Sequence, residues 1–124
     1  MASAPIFSGC GTALVTPFRQ DLALDEQALR RLVRRQVDAG ISFLVPCGTT
    51  GENPTLSHEE HLRVVEITLE EAAGRVPVLA GCGGNNTASV IAKGRERGIG
   101  REEFEAGHAI EPQRADDVAA DWAQ

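Results

Sequence analysis

Three short apolar runs punctuate the first two thirds of the chain: Thr12-Ala13-Leu14-Val15, Ile41-Ser42-Phe43-Leu44-Val45 and Val76-Pro77-Val78-Leu79-Ala80. Each is closed by a breaker: Pro17 after Thr16, then Pro46, then Gly81. Apolar residues fall on both alternating faces of each run, as in parallel strands covered on two sides. The pattern predicts parallel strands near residues 12–16, 41–46 and 76–81, adjacent in that order. Between them the period lengthens to that of a helix. Leu29, Leu32, Val33 and Val37 share one stripe. Asp25 can cap this segment, and Gly40 follows where a left-handed residue is favoured, so a helix is expected near 25–39. Arg30, Arg31, Arg34 and Arg35 lie on its other faces and read as a solvated surface. A second helix, near 57–73, opens with the capping box Ser57-His58-Glu59-Glu60. Leu62, Val65, Leu69 and Ala72 form its expected apolar stripe, and Gly74 ends it.

Strand, helix, strand, helix, strand implies an α/β fold with parallel crossovers. An open dinucleotide-binding sheet and a (β/α)8 barrel both fit. The open sheet wants Gly-x-Gly-x-x-Gly directly after the first strand. Here that strand ends in Thr16-Pro17-Phe18, and the nearest similar string, Gly81-Cys82-Gly83-Gly84-Asn85-Asn86, follows the third run and lacks the last glycine. The barrel is therefore preferred. Residues 93–124 do not continue the repeat. Lys93-Gly94-Arg95-Glu96-Arg97-Gly98-Ile99-Gly100-Arg101 makes a poor helix interior, and one short helix carrying Ala115, Val118, Ala119 and Trp122 is expected after Pro112. The chain divides into residues 1–92, with barrel-like patterning, and a tail, 93–124, that is out-of-frame sequence, disordered, or a different natural ending.

Charge narrows the partners. The net charge of −6 disfavours nucleic acid and anionic membrane, which select basic surfaces. No apolar stretch approaches a membrane span, and Met1 to Ser8 lacks the basic and apolar regions of a signal peptide, so a cytoplasmic location is expected. Cys10, Cys47 and Cys82 form no Cys-x-x-Cys pair and read as reduced thiols. Zinc on His58 and His61, three apart, would need further ligands that the sequence does not supply at fitting spacing. A solvated or capping role is the ordinary reading of both. No metal or cofactor is implied.

The string with most chemical content is Gly48-Thr49-Thr50-Gly51-Glu52, at the C-terminal end of the second strand. Barrels place their active sites on that face. The glycines permit a tight turn, and the threonine hydroxyls can hold a carboxylate or relay a proton. No lysine follows, so it is not a phosphate-binding Walker loop. Taken alone, the string is equally well a structural turn.

Residues 9–92 resemble the N-terminal part of the dihydrodipicolinate synthase and N-acetylneuraminate lyase family. The resemblance rests on Gly11-Thr12-Ala13-Leu14-Val15-Thr16-Pro17-Phe18, on Gly48 through His61, and on Gly74-Arg75-Val76-Pro77-Val78-Leu79-Ala80-Gly81 running on to Gly83 and Asn85. The synthase branch is the nearer one. The resemblance implies about the first three βα units of a (β/α)8 barrel. It implies a lyase of lysine and diaminopimelate biosynthesis, in which a lysine forms a Schiff base with pyruvate and the enamine attacks aspartate semialdehyde. Thr49 matches the family's proton-relay threonine, and Thr50 matches the position that binds the pyruvate carboxylate. His58, His61, Gly83 and Asn85 fall where some members bind feedback lysine; that site's glutamate falls at Ser89, and its tyrosine is missing. The family forms homo-oligomers. The chain contains no tyrosine, and its one lysine is Lys93, in the tail, so the family's Schiff-base lysine and tyrosine relay are absent. The 124 residues alone are expected to be inactive. Two alternatives stay open: a non-catalytic partial barrel that binds a longer homologue, and another pyruvate-dependent aldolase of the same family.

Overall fold

The computed structural model describes residues 7–84 together with residues 86 and 88. The elements run β1 (Gly11–Ala13), α1 (Glu26–Asp38), β2 (Phe43–Val45), a 3-10 turn (Asn53–Thr55) and α2 (His58–Ala72). Asn85 and the expected tail helix lie outside the described residues.

Local chemistry sets the helix boundaries. The Asp25 carboxylate accepts from the Ala28 N–H at 2.8 Å, satisfying a first-turn donor with no partner inside the helix. Gly40 has φ +85°, the left-handed conformation expected after α1. At α2 the capping box closes in both directions. Ser57 Oγ accepts from Glu60 N–H at 3.2 Å, and Ser57 N–H donates to Glu60 Oε2 at 2.8 Å.

β1 and β2 pair in parallel, with Thr12 opposite Leu44. The third run lies on the other edge of β2 as one parallel bridge between Leu44 and Val78. Strand direction and order therefore match the expectation, but the third run does not form a ladder. The reason is Pro46. Leu44 N–H donates to Pro77 O at 3.0 Å and Leu79 N–H to Leu44 O at 2.8 Å. The next rung needs an N–H on residue 46, and proline has none. Only its other half forms, Gly81 N–H to Pro46 O at 2.8 Å.

Burial also departs from the two-sided pattern. Leu14, Leu44 and Val78 pack with Leu29 and Val33 of α1 and Val64, Ile67 and Ala72 of α2 in one core. The alternate positions Ala13 and Val15 are exposed, and Phe43 and Val45 are half-buried. Among the described residues the helices cover one face; in a closed barrel the other would be the interior.

Two further expectations are corrected. Of the expected α2 stripe, Ala72 is buried and Val65 and Leu69 pack half-buried against the core, but Leu62 is exposed, and the centre of the buried face is His61, Val64, Ile67 and Thr68. Its polar members can be buried because they are hydrogen-bonded: Thr68 Oγ1 donates to Val64 O at 2.7 Å, and His61 is bonded as described below. The arginines of α1 are not all a solvated surface. Arg30 donates to Glu71 at 2.8 Å and pairs with Glu70 at 2.7 Å, and Arg34 bonds Glu71 through Nε and Nη2. The Arg34 and Arg30 guanidiniums hold the Glu71 carboxyl down at about 2.

Candidate functional site

The segments leaving β1, β2 and the third run emerge on one edge of the sheet. After β2 the chain makes a compact turn. Gly51 N–H donates to Gly48 O at 3.1 Å and Glu52 N–H to Thr49 O at 3.0 Å. Cys47 (φ +57°) and Glu52 (φ +56°) bracket it, both left-handed without being glycine. Such conformations cost on the order of 1 kcal/mol or more each and persist only where the surroundings enforce them.

Three contacts do so. Thr16, buried after β1, donates its hydroxyl to Gly51 O at 2.7 Å. Gly81, after the third run, presses on the root of the turn. A β-carbon there would overlap the Cys47 carbonyl oxygen and lie 2.6 Å from its carbon and 2.9 Å from Gly48 N. Asn53 Nδ2 donates to Gly83 O at 2.6 Å. Thr49 and Thr50 stand exposed at the head of this braced turn, at the C-terminal end of β2. Thr16 and Gly81, which close the first and third runs, sit directly on the turn with no open cleft between, through a hydrogen bond and a backbone contact respectively.

The two histidines part company. His58 is exposed at the first turn of α2. His61 is only 1% exposed, with Nε2 3.0 Å from Gly81 O, so the solvated reading does not hold for it. Gly83 is exposed. Asn53 lies inside the Gly48–His61 string, but nothing in its spacing marks it as a site residue. Its Oδ1 is buried and has no hydrogen-bond partner among the described residues. A groove elsewhere, lined by Arg19, Leu24, Asp25, Gln27 and Arg63, offers less, since its cations are engaged: Arg19 with Asp21, Arg63 with Glu26 and Glu66. Among the described residues no helix is long and apolar enough to cross a membrane.

A family model described as the dihydrodipicolinate synthetase family matches residues 6–100. The chain is 59% identical over 88 residues to the 4-hydroxy-tetrahydrodipicolinate synthase of Koribacter versatilis, covering 71% of this chain and 29% of that relative. It is 62% identical over 86 residues to the synthase of Novosphingobium aromaticivorans, covering 69% and 29% respectively. The structure superposes on dihydrodipicolinate synthase from Aquifex aeolicus with a TM-score of 0.71 at 40% identity, over 83% of this chain and 33% of the other. The chain thus spans less than a third of the length of these curated relatives.

Proposed function

The chain belongs to the dihydrodipicolinate synthetase family, and from that premise we propose that it carries the carboxylate-binding and proton-relay corner of a pyruvate-dependent synthase site, within the first three βα units of a (β/α)8 barrel. The observation that carries the reading is the braced turn, with two exposed threonines between two left-handed non-glycine residues. Fixed donors suit an anionic group because they need no reorganisation when it binds. Thr50 binds the pyruvate carboxylate through its hydroxyl and backbone N–H. Thr49 passes a proton in the relay. In the family reaction a lysine amine condenses with the keto carbon of pyruvate, releasing water, and the resulting enamine attacks the aldehyde of aspartate semialdehyde. The amine and the tyrosines of the relay are not supplied by these 124 residues, whose single lysine is Lys93.

Feedback lysine at His58, His61, Gly83 and Asn85 is a separable part of the proposal. The observation favouring it is the buried Asn53 Oδ1 beside Gly83, which has no hydrogen-bond partner among the described residues and is an acceptor of the kind an ammonium group uses. Lysine titration followed at the Asn53 side-chain amide tests it, and an unmoved amide overturns it.

Pyruvate titration of the 124-residue polypeptide tests the main reading. Amide resonances of Thr49 and Thr50 shift with pyruvate and not with acetone, and Thr50→Ala abolishes the response. Borohydride trapping followed by intact mass gives no adduct, since Lys93 follows no apolar strand run and lies among charged and glycine residues, not at the strand end where the family's amine stands. Shifts confined to other residues, or a stoichiometric adduct on Lys93, overturn the assignment.

A further inference from the structure

The buried face of α2 contains one imidazole among apolar neighbours. Val64, about one turn on, and Ile67, nearly two turns on, are both fully buried like His61. Burying a polar ring costs free energy unless its hydrogen bonds are made. His61 Nε2 lies 3.0 Å from Gly81 O. A carbonyl oxygen only accepts, so Nε2 carries the proton and donates it. On the same residue, the backbone carbonyl accepts from Cys47 Sγ at 3.7 Å. Cys47 and Gly48 are in turn the groups against which Gly81 is packed without room for a β-carbon. Three segments therefore meet at His61: the first turn of α2, the end of the third run and the root of the threonine turn. The junction has a reason to need a side-chain donor. On its β2 edge the third run meets Pro46, which cannot donate, so that rung keeps its Gly81 N–H half and lacks the other.

We infer that His61 is a positioning residue for the turn bearing Thr49 and Thr50, acting through its hydrogen bond to Gly81. Its importance for pyruvate rests on the assignment of those threonines to the site, but the bond and its effect on the turn do not. Leucine at 61 fills the space and removes the donor. Glutamine places its amide nitrogen near the position of Nε2 and keeps the donor.

The test is amide hydrogen exchange, followed by NMR in the 124-residue chain, for the parent, His61→Leu, His61→Gln and Val64→Ala. The reporters are the bonded amides of Gly51, Glu52 and Gly81, with Leu14 and Ser42 of the β1–β2 pairing as internal reference. His61→Leu speeds exchange of the three reporters about tenfold over the reference, the change expected for one lost buried hydrogen bond. His61→Gln restores it, and Val64→Ala shifts reporters and reference together. The inference is overturned if His61→Leu acts uniformly, as Val64→Ala does, if it changes nothing, or if His61→Gln behaves like His61→Leu. Nitrogen NMR of the parent imidazole gives a readout that needs no folded variant: it shows the proton on Nε2, and a neutral ring protonated only at Nδ1 sinks the proposal. Neither measurement contains pyruvate, so failure here leaves the pyruvate assignment standing, and failure there leaves this one.

Discussion

Adding one methyl group at Gly81 should damage the fold more than its size suggests. The new β-carbon of Gly81→Ala would overlap the Cys47 carbonyl oxygen, with the carbonyl carbon at 2.6 Å and Gly48 N at 2.9 Å. All three are backbone atoms, so no side chain can rotate away. The third run must move off β2, which strains the Gly81 N–H bond to Pro46 O and the His61 bond to Gly81 O. Overpacking of this kind costs about 1–3 kcal/mol, and a weakened hydrogen bond adds to it, so a loss of about 3 kcal/mol is expected. With a urea slope of about 1 kcal/mol per molar for a small unit, the midpoint falls by about 3 M. Urea titration followed by far-ultraviolet circular dichroism measures it. Gly83→Ala is the matched control, because a β-carbon there meets nothing within 4 Å. A loss below about half a kcal/mol at Gly81, or equal losses at both glycines, would refute the close approach of the third run to the turn.

Two other outcomes follow from particular residues. The Glu71 carboxyl is held at about 2 against an ordinary 4.5, so its stabilising contribution is complete above pH 4.5 and is lost as pH falls through about 2. The difference in melting temperature between the parent and Glu71→Gln therefore shrinks across that window, and a constant difference would show that the α1–α2 pairs contribute nothing. Leu22 has φ +67° and is 80% exposed, so its left-handed strain has no burial to offset it. Leu22→Asn should stabilise by about 0.5–1 kcal/mol, since asparagine tolerates this conformation, and a destabilised variant in the same urea assay contradicts that reading.

What could be read in the sequence was what is local. Asp25 and Ser57 fix helix starts through partners three residues away, so the bounds of α1 and α2 are legible from composition and spacing. The order of the apolar runs gave the strand order, and the two glycines around Thr49 and Thr50 marked the turn. The missed features depend on distant partners. Arg30 and Arg34 find Glu71, 41 and 37 residues away, and nothing in the α1 pattern distinguishes them from solvated arginines. His61 and Thr68 are polar by type, which hid their place on the buried face of α2; their bonds to Gly81 and Val64 make that burial tolerable. The short third strand was legible in principle, because Pro46 removes a specific donor, but only once the register opposite Val78 is known.

The most direct test of the site assignment transplants it. Residues 7–84 replace the matching segment of the Novosphingobium aromaticivorans synthase, to which the chain is 62% identical, and condensation of pyruvate with aspartate semialdehyde is assayed. The chimera is expected to be active. Thr49→Val within it should lower kcat about a hundredfold, as expected for loss of a proton relay, with melting temperature unchanged. Thr50→Ala should raise KM for pyruvate about tenfold or more, as expected for a lost hydrogen bond to a charged group. A folded, active chimera in which both substitutions leave kcat and KM at the parent values would contradict the claim that this turn is the pyruvate corner of the site.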